Sequence, residues 1–168
     1  MAETTCSEAR ETAVASVVVV SVSADMVEDL ERLIAAELDE ESAAHPEVFE
    51  ANHAYSAGAA AAHVSGIGRA WFAVIDGVPV GYVGFMFAPI FGNGSRTATL
   101  SGYFVLPEHR RTTAAFRLWR EAKRWFDSSD EVRSVQGCYS KLGDGGSASL
   151  LKLGAVEVGR VLQLNKGM

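Results

Sequence analysis

Apolar and polar positions follow two different spacings along this chain, and the switches between them mark its elements. From Ala13 to Val22 the run AVASVVVVSV is almost unbroken, short and β-branched, which predicts a strand buried on both faces. Behind Ser23, a candidate cap, Met26, Val27, Leu30, Leu33, Ile34 and Leu38 recur on one helical stripe, with Asp25, Glu28 and Asp29 at the positive end, so a helix is expected to about Glu41. The stretch 45–66 opens with a proline and is rich in alanine; it predicts a weaker second helix with a break at Gly58. Two apolar runs then flank Asp76-Gly77, the signature of a tight hairpin, giving two strands that end near Phe87.

After the glycine and asparagine turn at 91–96, TATLSGYFVL reads as a fourth strand stopped by Pro107. Thr113 to Ser128 follows as an amphipathic helix, with Ala115, Leu118, Ala122, Trp125 and Phe126 inward and Arg117, Arg120, Glu121, Lys123 and Arg124 outward. EVRSVQGCYS is a fifth strand, GDGGSAS a loop, ASLLKLG a short helix and VEVGRVLQLNK a last strand or pair of strands. This order predicts an α/β protein, a mixed sheet with helices on both faces. Residues 1–12 are polar and aperiodic and are expected to be a flexible lead-in to one domain over 13–168.

Composition narrows the partners. The 168 residues carry a formal net charge of −6, which weighs against a nucleic-acid binder and favours a small-molecule or protein partner. Two cysteines, Cys6 and Cys138, are too few for a disulfide framework and point to a cytoplasmic location. No apolar run approaches the length of a membrane-spanning helix, and neither a membrane nor a signal segment is expected. The four histidines lack metal-ligand spacing, so no metal is expected. Cys138 reads as a small buried residue, with a nucleophilic thiol as the alternative.

The segment 110–115 carries the candidate chemistry. A strand-to-helix loop presents unpaired N–H groups at the positive end of a helix, and Arg110 and Arg111 add forked donors suited to phosphate. Thr112 and Thr113 can cap the helix or bond an anion; a diphosphate fits the loop, and so does a plain solvated turn. No Walker loop G-x-x-x-x-G-K-S/T and no G-x-G-x-x-G follows a strand.

With its surroundings, the segment resembles the coenzyme A motif of the GNAT superfamily of N-acetyltransferases, V-x-P-x-x-R-R/G-x-G-x-G/A-x-x-L, at Val105, Pro107, Arg110, Arg111, Thr113, Ala115 and Leu118. The element order agrees from the first strand to LLKLGAVEVGRVLQLNK. The resemblance implies a GNAT-like fold with a six- or seven-stranded mixed sheet, splayed between the fourth and fifth strands. It also implies acetyl-CoA as co-substrate, its pantetheine arm paired with the backbone of Tyr103, Phe104 and Val105 and its pyrophosphate on the N–H groups of Arg110, Arg111, Thr112, Thr113, Ala114 and Ala115.

The chain departs from the family in three places. Thr113 stands where glycine is usual and would cost affinity if that position needed a left-handed backbone. The tyrosine that reprotonates the thiolate is replaced by Leu150, leaving Tyr139 and Ser149 as nearby substitutes. The strand-four glutamate that deprotonates the amine is replaced by Thr99 and Ser101, which suggests a water relay through Ser101. Glu108 reads as a surface partner for the arginines. The implied activity is acetyl transfer to a primary amine, on a small molecule or a protein, by direct attack in a ternary complex. The alternative is a catalytically degenerate fold that acts through coenzyme or protein binding. The first two helices and the loop at 90–96 are expected to hold the acceptor, carboxylates at 37–50 suit a cationic amine, and a homodimer is left open.

Overall fold

A computed structural model describes residues 16–46, 50–89 and 95–136. The elements are β1 (Val18–Ser21), α1 (Val27–Ala44), α2 (His53–Val64), β2 (Gly68–Ile75), β3 (Val78–Pro89), β4 (Arg96–Val105), α3 (Ala114–Ser128) and β5 (Val132–Gln136). Single 3-10 turns at Ala24–Met26 and Pro107–His109 lead into α1 and α3. Among the described residues the five strands form one sheet in the order β1-β2-β3-β4-β5, antiparallel up to β4, with β5 parallel to β4. The expected last helix and strand fall at 148–165, outside the described residues, as do Tyr139, Ser149, Cys138 and the lead-in 1–12.

Each face of the sheet is covered by a different helix set. On one side Leu118, Trp119 and Ala122 of α3 bury Trp71, Ala73, Val83, Phe85, Ala98 and Val105. On the other, Leu30, Leu33 and Ile34 of α1 and Ala60 of α2 bury Ala70, Phe72, Tyr82 and Phe104. This two-sided cover follows from β2 and β3 being apolar at nearly every position, which a central strand requires.

β1 is an edge strand whose partner among the described residues is β2; its valines pack on both faces of the sheet, Val19 against the core under α3 and Val20 against the core under α1, while Val18 is 52% exposed. Two expectations are corrected. The second helix does not begin at Pro46. It starts at His53, where the Asn52 side chain accepts from the Ala54 N–H at 3.1 Å, and it runs through Gly58 without a break. Helix α1 continues past Glu41 to Ala44. The hairpin stands as expected: Asp76 and Gly77 have φ of 50° and 80°, the left-handed pair that a two-residue turn between twisted strands requires.

Strand β4 is irregular on both of its edges. The β3–β4 register passes from Gly84 opposite Gly102 to Phe85 opposite Leu100, leaving Ser101 as an extra residue in β4. The ladder between β4 and β5 covers only Arg96 to Thr99 on β4. From Leu100 to Val105 that edge of β4 has no strand partner among the described residues.

Candidate functional site

At the extra residue of β4, two polar groups reach the sheet from the helices above it. His63 on α2 is 5% exposed; its Nδ1 lies 2.6 Å from the Ala59 carbonyl and its Nε2 lies 2.7 Å from Ser101 Oγ. A carbonyl only accepts, so Nδ1 carries the hydrogen. Burial pushes the imidazole below its ordinary pKa, so the neutral ring accepts at Nε2 from the Ser101 hydroxyl. Glycine at 84 makes room, since a Cβ there would stand 2.6 Å from His63 Nε2.

Glu37 on α1 reaches the same face one strand position away. Its carboxylate accepts from the buried Tyr82 hydroxyl, and the Tyr103 N–H donates to its other oxygen at 3.3 Å. Burial raises Glu37 to a pKa of about 7, against the downward pull of those two bonds, and the Glu40 and Glu41 charges add to the rise. Tyr82 is held well above the ordinary phenol range by burial and by Glu37. Burial likewise takes Tyr103 to about 12, so both phenols keep their protons.

Read from the sequence, Glu37 groups with the solvated carboxylates at 37–50. The usable signal against that reading is its place three residues after Ile34 and four after Leu33, inside the apolar stripe of the helix. His63 carries no comparable signal, because its partner Ser101 is 38 residues away.

Beyond Pro107 the chain turns into α3. Thr112 caps that helix: its hydroxyl accepts from the Ala114 N–H at 3.2 Å and donates to the His109 carbonyl at 2.7 Å. Thr113 makes no side-chain cap bond, and its φ of −83° is ordinary for threonine, which removes the backbone objection to that residue. The N–H groups of Arg111, Thr113, Ala115 and Phe116 find no acceptor among the described residues.

The two arginines differ. Arg110 donates from Nε to the Val105 carbonyl at 2.9 Å, pairs with Glu40 and lies over the Phe104 ring, so its partner is Glu40 and not the expected Glu108. Arg111 is exposed and has no ion pair among the described residues. On the outward face of α3, Arg117 donates to the Val17 carbonyl, Arg124 pairs with Glu121 and Lys123 with Asp127. Among the described residues no cluster of His, Cys, Asp or Glu could hold a metal ion, and no helix is long and apolar enough to cross a membrane.

Known proteins with this architecture are numerous. A possible acetyltransferase from Clostridium difficile 630 superposes with a TM-score of 0.71 at 11% identity, covering 90% of this chain and 98% of that one. A ribosomal-protein-alanine N-acetyltransferase from Brucella melitensis biovar Abortus 2308 gives 0.68 at 15% identity, over 90% of this chain and 100% of that one. An aminoglycoside N-acetyltransferase in complex with CoA gives 0.66 at 19% identity, over 90% and 95%. At these identities the likeness establishes the fold. No curated protein sequence matches the chain. Residues 28–154 match the model of the acetyltransferase (GNAT) family, a range that takes in α2, α3 and all but the first residue of α1, and the chain belongs to that family.

Proposed function

We propose that this protein transfers an acetyl group from acetyl-CoA to a primary amine of a small molecule or protein, by direct attack in a ternary complex. The observation that carries the reading is the edge of β4 from Leu100 to Val105, which has no strand partner among the described residues and runs into the N–H groups of Arg111, Thr113 and Ala115, likewise without an acceptor there. An extended amide-bearing arm can add to such an edge as a strand would, and a diphosphate suits the helix start beyond it. Bound there, the coenzyme supplies an activated acetyl carbonyl.

The residues present fit that group once Glu37 yields the Tyr103 N–H and Arg110 yields one of its partners. Tyr103, Phe104 and Val105 line the open edge. The Tyr103 ring is backed by the Trp119 indole at a centroid distance of 4.9 Å, which fixes that end of the edge. Arg110 must release the Val105 carbonyl, or Glu40, before it can serve phosphate; Arg111 needs no release. Thr112 spends its hydroxyl on capping α3, so in this reading it contributes its backbone, as do Thr113, Ala114 and Ala115. Ser101, backed by His63, orients the amine or a water beside it. The alanine-rich α2 and the acidic end of α1 form the wall on the acceptor side, where Glu37, Glu40 and Glu41 favour a cation. Relatives whose names specify ribosomal-protein alanine or aminoglycosides support an amine acceptor of either size.

Thiol release from acetyl-CoA with a panel of primary amines tests the activity. Saturable release is expected with cationic amines. Binding of acetyl-CoA with no release from any amine would instead support a fold kept for binding. Arg111→Ala should weaken acetyl-CoA by about tenfold, the loss of one charge-assisted contact to phosphate. Calorimetric titration measures it, and equal affinity would take Arg111 out of the site.

A further inference from the structure

We propose that the carboxylate of Glu37, held at the β4 bulge by the Tyr82 hydroxyl and the Tyr103 N–H, is the group that takes the proton from the attacking amine. The inference rests on the transferase reading and names the base that Thr99 and Ser101, neither of them acidic, do not provide on β4.

Three features of the geometry lead to it. Glu37 comes from α1, 66 residues before Tyr103, yet it bonds a main-chain N–H within the stretch of β4 that has no strand partner toward β5 among the described residues. That N–H is a donor that an acyl oxygen could use, and a carboxylate that yielded it would remain tied to Tyr82 beside the acyl carbon. The Tyr82 hydroxyl, fixed in the core at 2% exposure, keeps the displaced group from swinging away. Lastly, the alternative proton acceptor on this face is badly disposed: His63 is reached only through Ser101, and its burial opposes the charge it would gain.

The groups facing Glu37 all allow this work. Tyr82 from β3 and the Tyr103 N–H from β4 hold it by hydrogen bonds; Glu40 and Glu41 on its own helix raise its proton affinity, and Arg110 is engaged with Glu40. Tyr55 from α2 faces Tyr82. A carboxyl with a pKa of about 7 is half ionised at neutral pH, so it can both accept a proton and shed it to water.

The balance is simple. An alkylammonium gives one proton to the Glu37 carboxylate, and the freed lone pair forms the N–C bond to the thioester carbon. The C–S bonding pair departs with sulfur, and a second nitrogen proton ends on the thiol. Amide and free thiol are the products, and Glu37 returns its proton to solvent.

The test combines a titration with kinetics. In the free protein, the carbon-13 signal of the Glu37 carboxyl should titrate near pH 7, and Tyr82→Phe, which removes a bond favouring the ionised form, should move that midpoint upward. In turnover at saturating acetyl-CoA, Glu37→Gln should lower kcat by about 10²-fold or more and abolish the acid limb of the pH profile. Acetyl-CoA affinity should change by less than about threefold, while Ser101→Ala should lose less than about tenfold in kcat. Tyr82→Phe should shift the acid limb upward along with the carbon-13 midpoint, which a merely structural role would not do. A midpoint at the ordinary glutamate value, or a Glu37→Gln protein that keeps its rate and acid limb, overturns the proposal and leaves the transferase reading standing. A wild-type protein that binds acetyl-CoA and acetylates no amine defeats that reading, and this proposal with it. If Glu37→Gln fails to fold, Tyr82→Phe decides: an unmoved limb and midpoint count against Glu37.

Discussion

Gly102→Ala is expected to destabilise the protein by about 2 kcal/mol, lowering Tm by roughly 4–8 °C, and to disable the candidate site at the same time. A Cβ at 102 would run into the Tyr82 hydroxyl, stand 2.7 Å from Tyr82 Cζ and lie 2.9 Å from Glu37 Oε2. Neither neighbour can retreat without cost. The Tyr82 ring is 2% exposed and packed among Leu30, Leu33 and Phe72, and Glu37 is tied to a helix whose apolar stripe rests on the same face. Relief therefore requires the ring to leave its rotamer or α1 to lift from the sheet, and either breaks the bond from Tyr82 to Glu37. A thermal melt and the pH profile of turnover measure the two consequences. An unchanged Tm would mean that the sheet and α1 are less closely joined at this point than the structure places them.

The second large effect is a pH dependence of stability. Folding raises Glu37 from an ordinary value of 4.5 to about 7. Its favourable contribution is therefore complete below the unfolded value, and it is lost as pH rises through about 7. The shift corresponds to about 2–3 kcal/mol between pH 5 and pH 8.5. His63 acts in the opposite sense: its lowered value gives stability that is present above the ordinary imidazole range and lost on acidification. The comparison that isolates Glu37 is wild type against Glu37→Gln in urea at both pH values. Relative to wild type, the variant should gain about 2–3 kcal/mol on going from pH 5 to 8.5. Parallel curves would show that the carboxyl is solvated in the folded protein.

How much of this could be read from the sequence depends on how local each cause is. Asp76-Gly77 specifies its hairpin through its own backbone preferences, Pro107 ends β4 by lacking an N–H, and the stripes at Leu30, Leu33 and Ile34 and at Leu118 and Ala122 locate two helices by spacing alone. The start of α2 was hidden because an alanine-rich segment has no contrasting stripe, and the decisive feature was the Asn52 cap. The edge position of β1 was hidden for another reason. A valine run looks the same at the edge of a sheet as at its centre, and only pairing separates the two: among the described residues β1 has β2 as its one strand neighbour.

The candidate site divides in the same way. The helix-start loop at 110–115 is contiguous, so its open N–H groups and arginines could be proposed from a motif. Even so, the capture of Arg110 by Glu40, 70 residues earlier in the chain, could not. The bulge at Ser101 exists only in the register between two strands, and the pairs His63–Ser101 and Glu37–Tyr82 are made by helices laid across them. What the sequence did contain was one oddity, a glutamate set into the apolar stripe of α1. A charge in that position requires partners, and Tyr82 and the Tyr103 N–H are those partners.

The central claim is that the open edge of β4 and the start of α3 together form one acetyl-CoA site, and backbone amide shifts recorded during titration with acetyl-CoA test it most directly. The account predicts saturable changes concentrated at residues 101–105 and 111–116, with Glu37 among the responding positions because it must yield the Tyr103 N–H. Saturation accompanied by silence at both segments, or no response to acetyl-CoA at all, would contradict it.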